Sequence, residues 1–200
     1  MTAPPPFTTL RRFLPGKGSE RCELCGTVLG SGHAHLLELG SRRLACACEP
    51  CSLLFAHRGA SQYRRVGRRI RHLHEFQMSD AEWEGLAIPI GLAFFTCSTP
   101  QKRVLAFYPG PAGATESLLT LDAWNTIAAR NAGLAEMEPD VEALLVNRVG
   151  AARDYYLVPI DRCYHLVGLI RMHWRGLSGG EEVWREIGAF FHGLEEASDA

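Results

Sequence analysis

The chain has 200 residues, 46% of them hydrophobic and 22% charged, the balance of a folded globular protein rather than a disordered or fibrous one. The 21 Lys and Arg set against 22 Asp and Glu leave a formal net charge of -1, which gives no overall attraction to nucleic acid or to anionic membrane. No run reaches the roughly 18 apolar residues of a membrane span, and MTAPPPFTTLRRF carries no apolar h-region, so a cytoplasmic location without membrane insertion is expected.

Residues 1 to 20 hold Pro4-Pro5-Pro6 and Pro15-Gly16-Lys17-Gly18-Ser19, a composition that buries little and predicts a flexible tail. Residues 21 to 60 then concentrate five of the seven cysteines. Cys22-Glu23-Leu24-Cys25-Gly26 and Cys48-Glu49-Pro50-Cys51 are two CxxC turns with 22 residues between them, a spacing that brings two tight loops around one tetrahedral ion. In a chain expected to stay in a reducing compartment, the pattern reads as metal ligation and not as disulfides. Between the turns, His35-Leu36-Leu37-Glu38-Leu39 and Arg43-Leu44-Ala45-Cys46 predict a hairpin around Gly40-Ser41.

The expected module is therefore zinc-ribbon-like, with Cys22, Cys25, Cys48 and Cys51 as ligands of zinc. Four thiolates close the coordination shell, which favours a structural ion over a catalytic one. Iron of the rubredoxin type takes the same ligands and is the alternative cofactor. Cys46 is a fifth thiol: a spare buried cysteine, an alternative ligand, or one half of a dithiol redox switch. In an extended strand it shares a face with Cys48, so either is within reach of the ion. His33 and His35 are ordinary turn or core histidines, or one of them completes a Cys₃His site.

Residues 61 to 80 form an arginine-rich connector in which Val66, Ile70 and Leu73 have helical spacing, weakened by Gly67. The arginines from Arg64 to Arg71 read as a solvated face or as a partner contact, with nucleic acid the less favoured partner. Residues 81 to 200 predict an α+β domain. Ser79 or Asp80 caps a short helix through Trp83 and Leu86, and Ala87 to Cys97 pairs with Arg103 to Tyr108 in a hairpin. Pro109 to Ser117 reads as a glycine- and proline-rich loop able to turn backbone N–H groups toward an anion. Asp122 caps a helix from Ala123 to Arg130, and Val141 to Arg148 and Tyr155 to Ile160 are strand-like runs. Asp161 caps a further helix, and a last one spans about Glu181 to Glu195, with Val183, Trp184, Ile187, Phe190, Phe191 and Leu194 on its apolar face.

Outside the cysteine region there is no GxSxG, HExxH or GxGxxG, and His72, His74, His165 and His173 have no nucleophile in motif spacing. A catalytic pocket would have to lie near the Tyr108 to Glu116 loop and Asp161.

Cys22-Glu23-Leu24-Cys25-Gly26, His35-Leu36, Cys46-Ala47-Cys48, Cys51, Leu54-Phe55, Ala106 to Glu116, Asp140 to Leu145, Val158 to Tyr164 and Trp174 to Gly180 together form a pattern spread over residues 21 to 195. In that pattern the chain resembles an uncharacterised family, mainly actinobacterial, whose genes often lie beside those of nickel–iron uptake hydrogenases. The resemblance brings no established activity with it. It implies an accessory role around hydrogenase assembly, protection or electron transfer; joined to the closed cysteine shell and the lack of a catalytic motif, this gives the expectation of a non-enzymatic zinc-binding accessory protein that assists assembly or protection, with a hydrogenase subunit or maturation factor as its protein partner. A redox protein using iron or a dithiol is the alternative.

Overall fold

In the computed structural model, which describes residues 20–56, 62–117, 124–176 and 178–198, the chain divides after Arg65 into two units, each with its own core. The proline-rich tail, apart from Glu20, lies outside the described residues, and so does Asp122.

The first unit is built on strands β1 (Ala34–Glu38), β2 (Leu44–Ala47) and β3 (Tyr63–Arg65), antiparallel in the order β2-β1-β3. The hairpin register pairs Ala34 with Ala47 and His35 with Cys46. Strand alternation then sorts the side chains: Leu36, Ala45 and Ala47 are buried, while His35 and Cys46 on the other face are only partly covered. Helix α1 (Glu49–Phe55) starts at the end of β2, with Cys48 as its N-cap residue and Pro50 in its first turn, where a missing N–H costs nothing. A small core of Cys22, Leu36 and Ala47, flanked by Leu24, Leu29 and Tyr63, joins the elements.

The arginine-rich segment is not a helix. Its first part is β3, its second is β4 (Arg71–His72), and Val66 and Ile70 are each 5% exposed. Glycine at 67 costs a helix about 1 kcal/mol relative to alanine, whereas strand pairing satisfies the backbone on either side of it. Three of the arginines are committed to ion pairs: Arg65 with Glu49, Arg69 with the buried Glu142, and Arg71 with Glu136.

The second unit carries helix α2 (Asp80–Gly85), strands β5 (Leu92–Ser98), β6 (Arg103–Gly110) and β7 (Gly113–Glu116), helix α3 (Trp124–Arg130), strands β8 (Glu142–Asn147) and β9 (Asp154–Pro159), and helices α4 (Ile160–His173) and α5 (Gly180–Ala197). Its antiparallel sheet has the order β4-β9-β8-β5-β6-β7. Central β8 is buried along its whole length, as a strand covered on both faces must be. One face packs Phe95, Leu144, Val146 and Leu157 against Trp124, Ile127 and Leu86. On the other, Phe94 stacks on Phe107 and meets Tyr164 of α4, while Tyr156 meets Phe191 of α5. The architecture is α+β with antiparallel sheets and a C-terminal helix.

Two local readings change. Residues 109–117 are not an open loop: Gly110 pairs with Gly113 and Phe107 with Glu116, so β6 and β7 close a tight hairpin whose amides are spent on the ladder. The apolar stripe of α5 is narrower than expected, because Val183, Ile187, Phe191 and Leu194 are buried while Trp184 is 42% exposed.

Candidate metal centre

The four cysteines predicted as ligands come together. The sulfurs of Cys22, Cys25, Cys48 and Cys51 all lie within 4.8 Å of one another, and Cys25 Sγ is 3.7 Å from Cys48 Sγ. In a tetrahedron with metal–sulfur bonds of about 2.3 Å the sulfurs stand about 3.8 Å apart, so that separation fits a shared ion and is far too long for a disulfide.

The first pair sits on a tight knuckle. The Gly26 amide donates to the Cys22 carbonyl at 2.8 Å, the Cys22 amide donates to the Thr27 carbonyl at 2.8 Å, and Gly26 takes a φ of +76° that a side chain would resist. The chain is thereby turned so that the amides of Leu24, Cys25 and Cys48 donate to the Cys22 sulfur. Burial pushes the Cys22 thiol up, but those amides and a hydrogen bond with the Cys25 side chain together outweigh it and bring the thiol down to about 6. Hydrogen bonding from Cys48 and burial hold the Cys51 thiol up, at about 12. Without a cation the cluster thus keeps protons, and a cation would replace them.

The second pair departs from the sequence reading. Cys48 and Cys51 do not form another knuckle; they sit at the N-cap and in the first turn of α1, with the Ser52 amide donating to the Cys48 carbonyl at 2.9 Å. The unit is a knuckle, a hairpin and a helix start. Glu23 ties the first of these to the second, because its carboxylate accepts from the Cys46 amide at 2.8 Å and from Arg43 at 2.5 Å, while its own amide donates to the Cys46 carbonyl at 2.9 Å.

Cys46 does not belong to the four. The strand ends at Ala47 and the helix turn follows, so the alternation that would put Cys46 and Cys48 on one face stops between them. Cys46 instead groups with His33 and His35, and a ring nitrogen of each histidine and the Cys46 sulfur lie within 4.8 Å of one another. Neither histidine joins the four thiols. Burial, followed by the carboxylates of Glu20 and Glu23, pushes the Cys46 thiol up. This second group escaped the sequence reading as a unit, although a signal was there: a hairpin centred on Gly40-Ser41 places His35 directly opposite Cys46.

In the second unit, Asp161, Cys163 and His165 do not assemble a site. Cys163 is fully buried in α4, where burial pushes its thiol well up, and His165 meets Phe190 edge-on. A cleft of about 540 Å³ lies between residues 73–77 and 130–133, and no residue of the Tyr108–Glu116 hairpin lines it. Its Asn131 is spent on structure, donating to the carbonyls of Gln77 and Ile127 and accepting from the Gln77 amide. Among the described residues no helix is long and apolar enough to cross a membrane.

The fold and site define a two-unit α+β protein with a tetracysteine cluster able to bind a metal ion. Residues 21–198 match the family of unknown function DUF5947, and the chain belongs to that family. No curated protein and no solved structure matches the chain.

Proposed function

We propose that this protein is a zinc-binding accessory protein, not an enzyme, in which zinc held by Cys22, Cys25, Cys48 and Cys51 stabilises a ribbon-like N-terminal module for protein contact. The observation that carries the reading is the mutual approach of the four sulfurs with a Cys25–Cys48 separation of 3.7 Å, the edge of a zinc–thiolate tetrahedron. Four protein ligands fill that tetrahedron, so no position remains for a reacting water. Zinc binding supplies the folding free energy that a core of so few buried residues lacks.

The partner we propose, a nickel–iron hydrogenase subunit or maturation factor, rests on the resemblance to proteins encoded beside such enzymes. Arg65, Arg69 and Arg71 are engaged in ion pairs, which leaves the exposed apolar side of α1, with Leu53 and Leu54 at 59% and 71% exposure, as the better candidate contact surface.

Elemental analysis of chain dialysed against a weak chelator is expected to find one tightly held zinc, lost on Cys22→Ser or Cys48→Ser; wild-type chain without bound metal overturns the metal reading. Capture from the native cell is expected to retrieve a hydrogenase-related protein, and deletion of the gene to lower hydrogenase activity. Failure of both overturns the partner reading and leaves the metal reading standing. A second reading, iron in the same thiolates exchanging electrons, is favoured by the exposure of the ligand Cys25. Colour and iron content of protein purified without oxygen decide between the two metals.

A further inference from the structure

We propose that His33, His35 and Cys46 form a second metal site in the N-terminal unit, taking a divalent transition ion of the zinc class through two imidazoles and one thiolate. The reading goes beyond the four-thiolate centre and uses none of its residues.

The first observation is placement. His35 and Cys46 are direct partners across the β1–β2 hairpin, on the face opposite buried Leu36, Ala45 and Ala47. His33 precedes β1 by one residue, and its ring meets that of His35 edge-on at 4.9 Å. Three ligand atoms, one from each side chain, lie within 4.8 Å of one another, near enough for one ion to touch all three.

The second observation is independent of that grouping. The His33 side chain is only 10% exposed, and its Nε2 is buried with no hydrogen-bond partner. Its other nitrogen, Nδ1, lies 3.1 Å from the Gly30 carbonyl, which can only accept. The proton therefore sits on Nδ1 and the Nε2 lone pair is left unused in a dry environment, a costly arrangement unless a cation takes it up. A carbonyl holding the remote N–H of an imidazole is also how a metal-bound histidine is kept in its tautomer and orientation. Glu20 stands beside the same ring, with a carboxylate oxygen 3.4 Å from Nδ1, and adds negative charge next to a cation.

The donor set selects the ion. Two imidazoles and a thiolate suit zinc, cobalt or copper and disfavour magnesium and calcium, which want oxygen. Three protein ligands leave one tetrahedral position for water or an external donor, so this ion exchanges more readily than the enclosed one.

The test uses the full chain carrying one zinc in the four-thiolate centre, with loosely held metal removed by a weak chelator, and titrates it with Co²⁺. The expected result is thiolate-to-cobalt charge-transfer absorption that saturates at one cobalt per chain with the zinc retained. Cys46→Ala removes the charge-transfer band, and His33→Asn with His35→Asn removes stoichiometric cobalt binding. Retained zinc in each variant shows that the unit has folded. The proposal is overturned if zinc-loaded wild type gives no band, if cobalt enters only as zinc leaves, or if the band survives Cys46→Ala. Should the four thiols hold no zinc, the dependence of the cobalt band on Cys46 and the two histidines still decides the question, so failure of the first centre and failure of the second are told apart.

Discussion

At the scale of single residues, Glu23 and Arg148 do more than their sequence positions suggest. Glu23 grips the backbone of Cys46 from both sides while pairing with Arg43, so it fixes the knuckle against the hairpin. Glu23→Gln keeps the shape but loses the charge, and after discounting for solvent exposure the expected cost is about 1 kcal/mol, read as a lower melting temperature of the metal-loaded chain together with faster zinc release to a chelator. Arg148 has a side chain only 3% exposed; it donates to the Tyr155 hydroxyl at 2.7 Å and the Met78 carbonyl at 3.0 Å, pairs with Asp80, and lies over the Trp83 ring. Arg148→Leu strands those acceptors and is expected to destabilise the C-terminal unit by about 2–4 kcal/mol in urea unfolding. Residues of this kind are hard to see in a sequence, because most of their partners lie 20 to 70 positions away. The clustering of Cys22, Cys25, Cys48 and Cys51 was legible for the opposite reason: each pair is local, and its spacing is itself the geometry.

Among elements, helix α2 repeats in space what its letters announce. Ser79 and Glu82 form a reciprocal capping box, with the Glu82 amide donating to the Ser79 hydroxyl and the Ser79 amide donating to the Glu82 carboxylate. Ser79→Ala is expected to cost about 1 kcal/mol, checked by the shift of the denaturation midpoint. The arginine segment shows where local reading stops. Val66, Ile70 and Leu73 have helical spacing, yet strand partners on β1 and β9 supply the backbone hydrogen bonds, and pairing at that range leaves no mark in the segment itself. Residues 109–117 were likewise legible as a loop but not as a hairpin, because four residues of β7 carry too little pattern.

Strand β4 also predicts a pH response. His72 stacks on Tyr156 at 4.3 Å and lies beside His74 at 4.0 Å; burial, then the charge of His74, lower its pKa, with Asp154 and Glu195 opposing. In the unfolded chain it titrates near its ordinary value of 6.5. Below that pH the unfolded state binds a proton that the native state resists, so stability falls as pH drops from about 6.5 toward the depressed folded value and is recovered above it. Urea unfolding at pH values from neutral to mildly acidic is expected to show this slope, and His72→Gln to flatten it.

For the molecule as a whole, two cores imply two responses to metal. Among the described residues the first unit buries only a small cluster beside its four grouped thiols, whereas the second buries an extensive two-faced sheet. Calorimetry of the full chain is expected to show one transition that a strong chelator lowers or abolishes and another that it leaves in place. A single transition that shifts as one with chelation contradicts the assignment. That the chain would hold a small cysteine module and a larger α+β part was readable from the clustering of cysteines and the later strand patterns. The order of the six strands was not, since β5 pairs with β8 across more than 40 intervening residues.

The large sheet also ends abruptly. Its margins are β4, with two residues, and β7, with four, the latter turned by a hairpin containing Pro111. Among the described residues, a neighbouring molecule that tried to extend the ladder would meet only these short margins, too short to repay the ordering of a new strand. Growth of this sheet by strand addition at either margin is therefore expected to be unfavourable, and fibrils formed by concentrated protein should leave its β4 and β7 margins unextended.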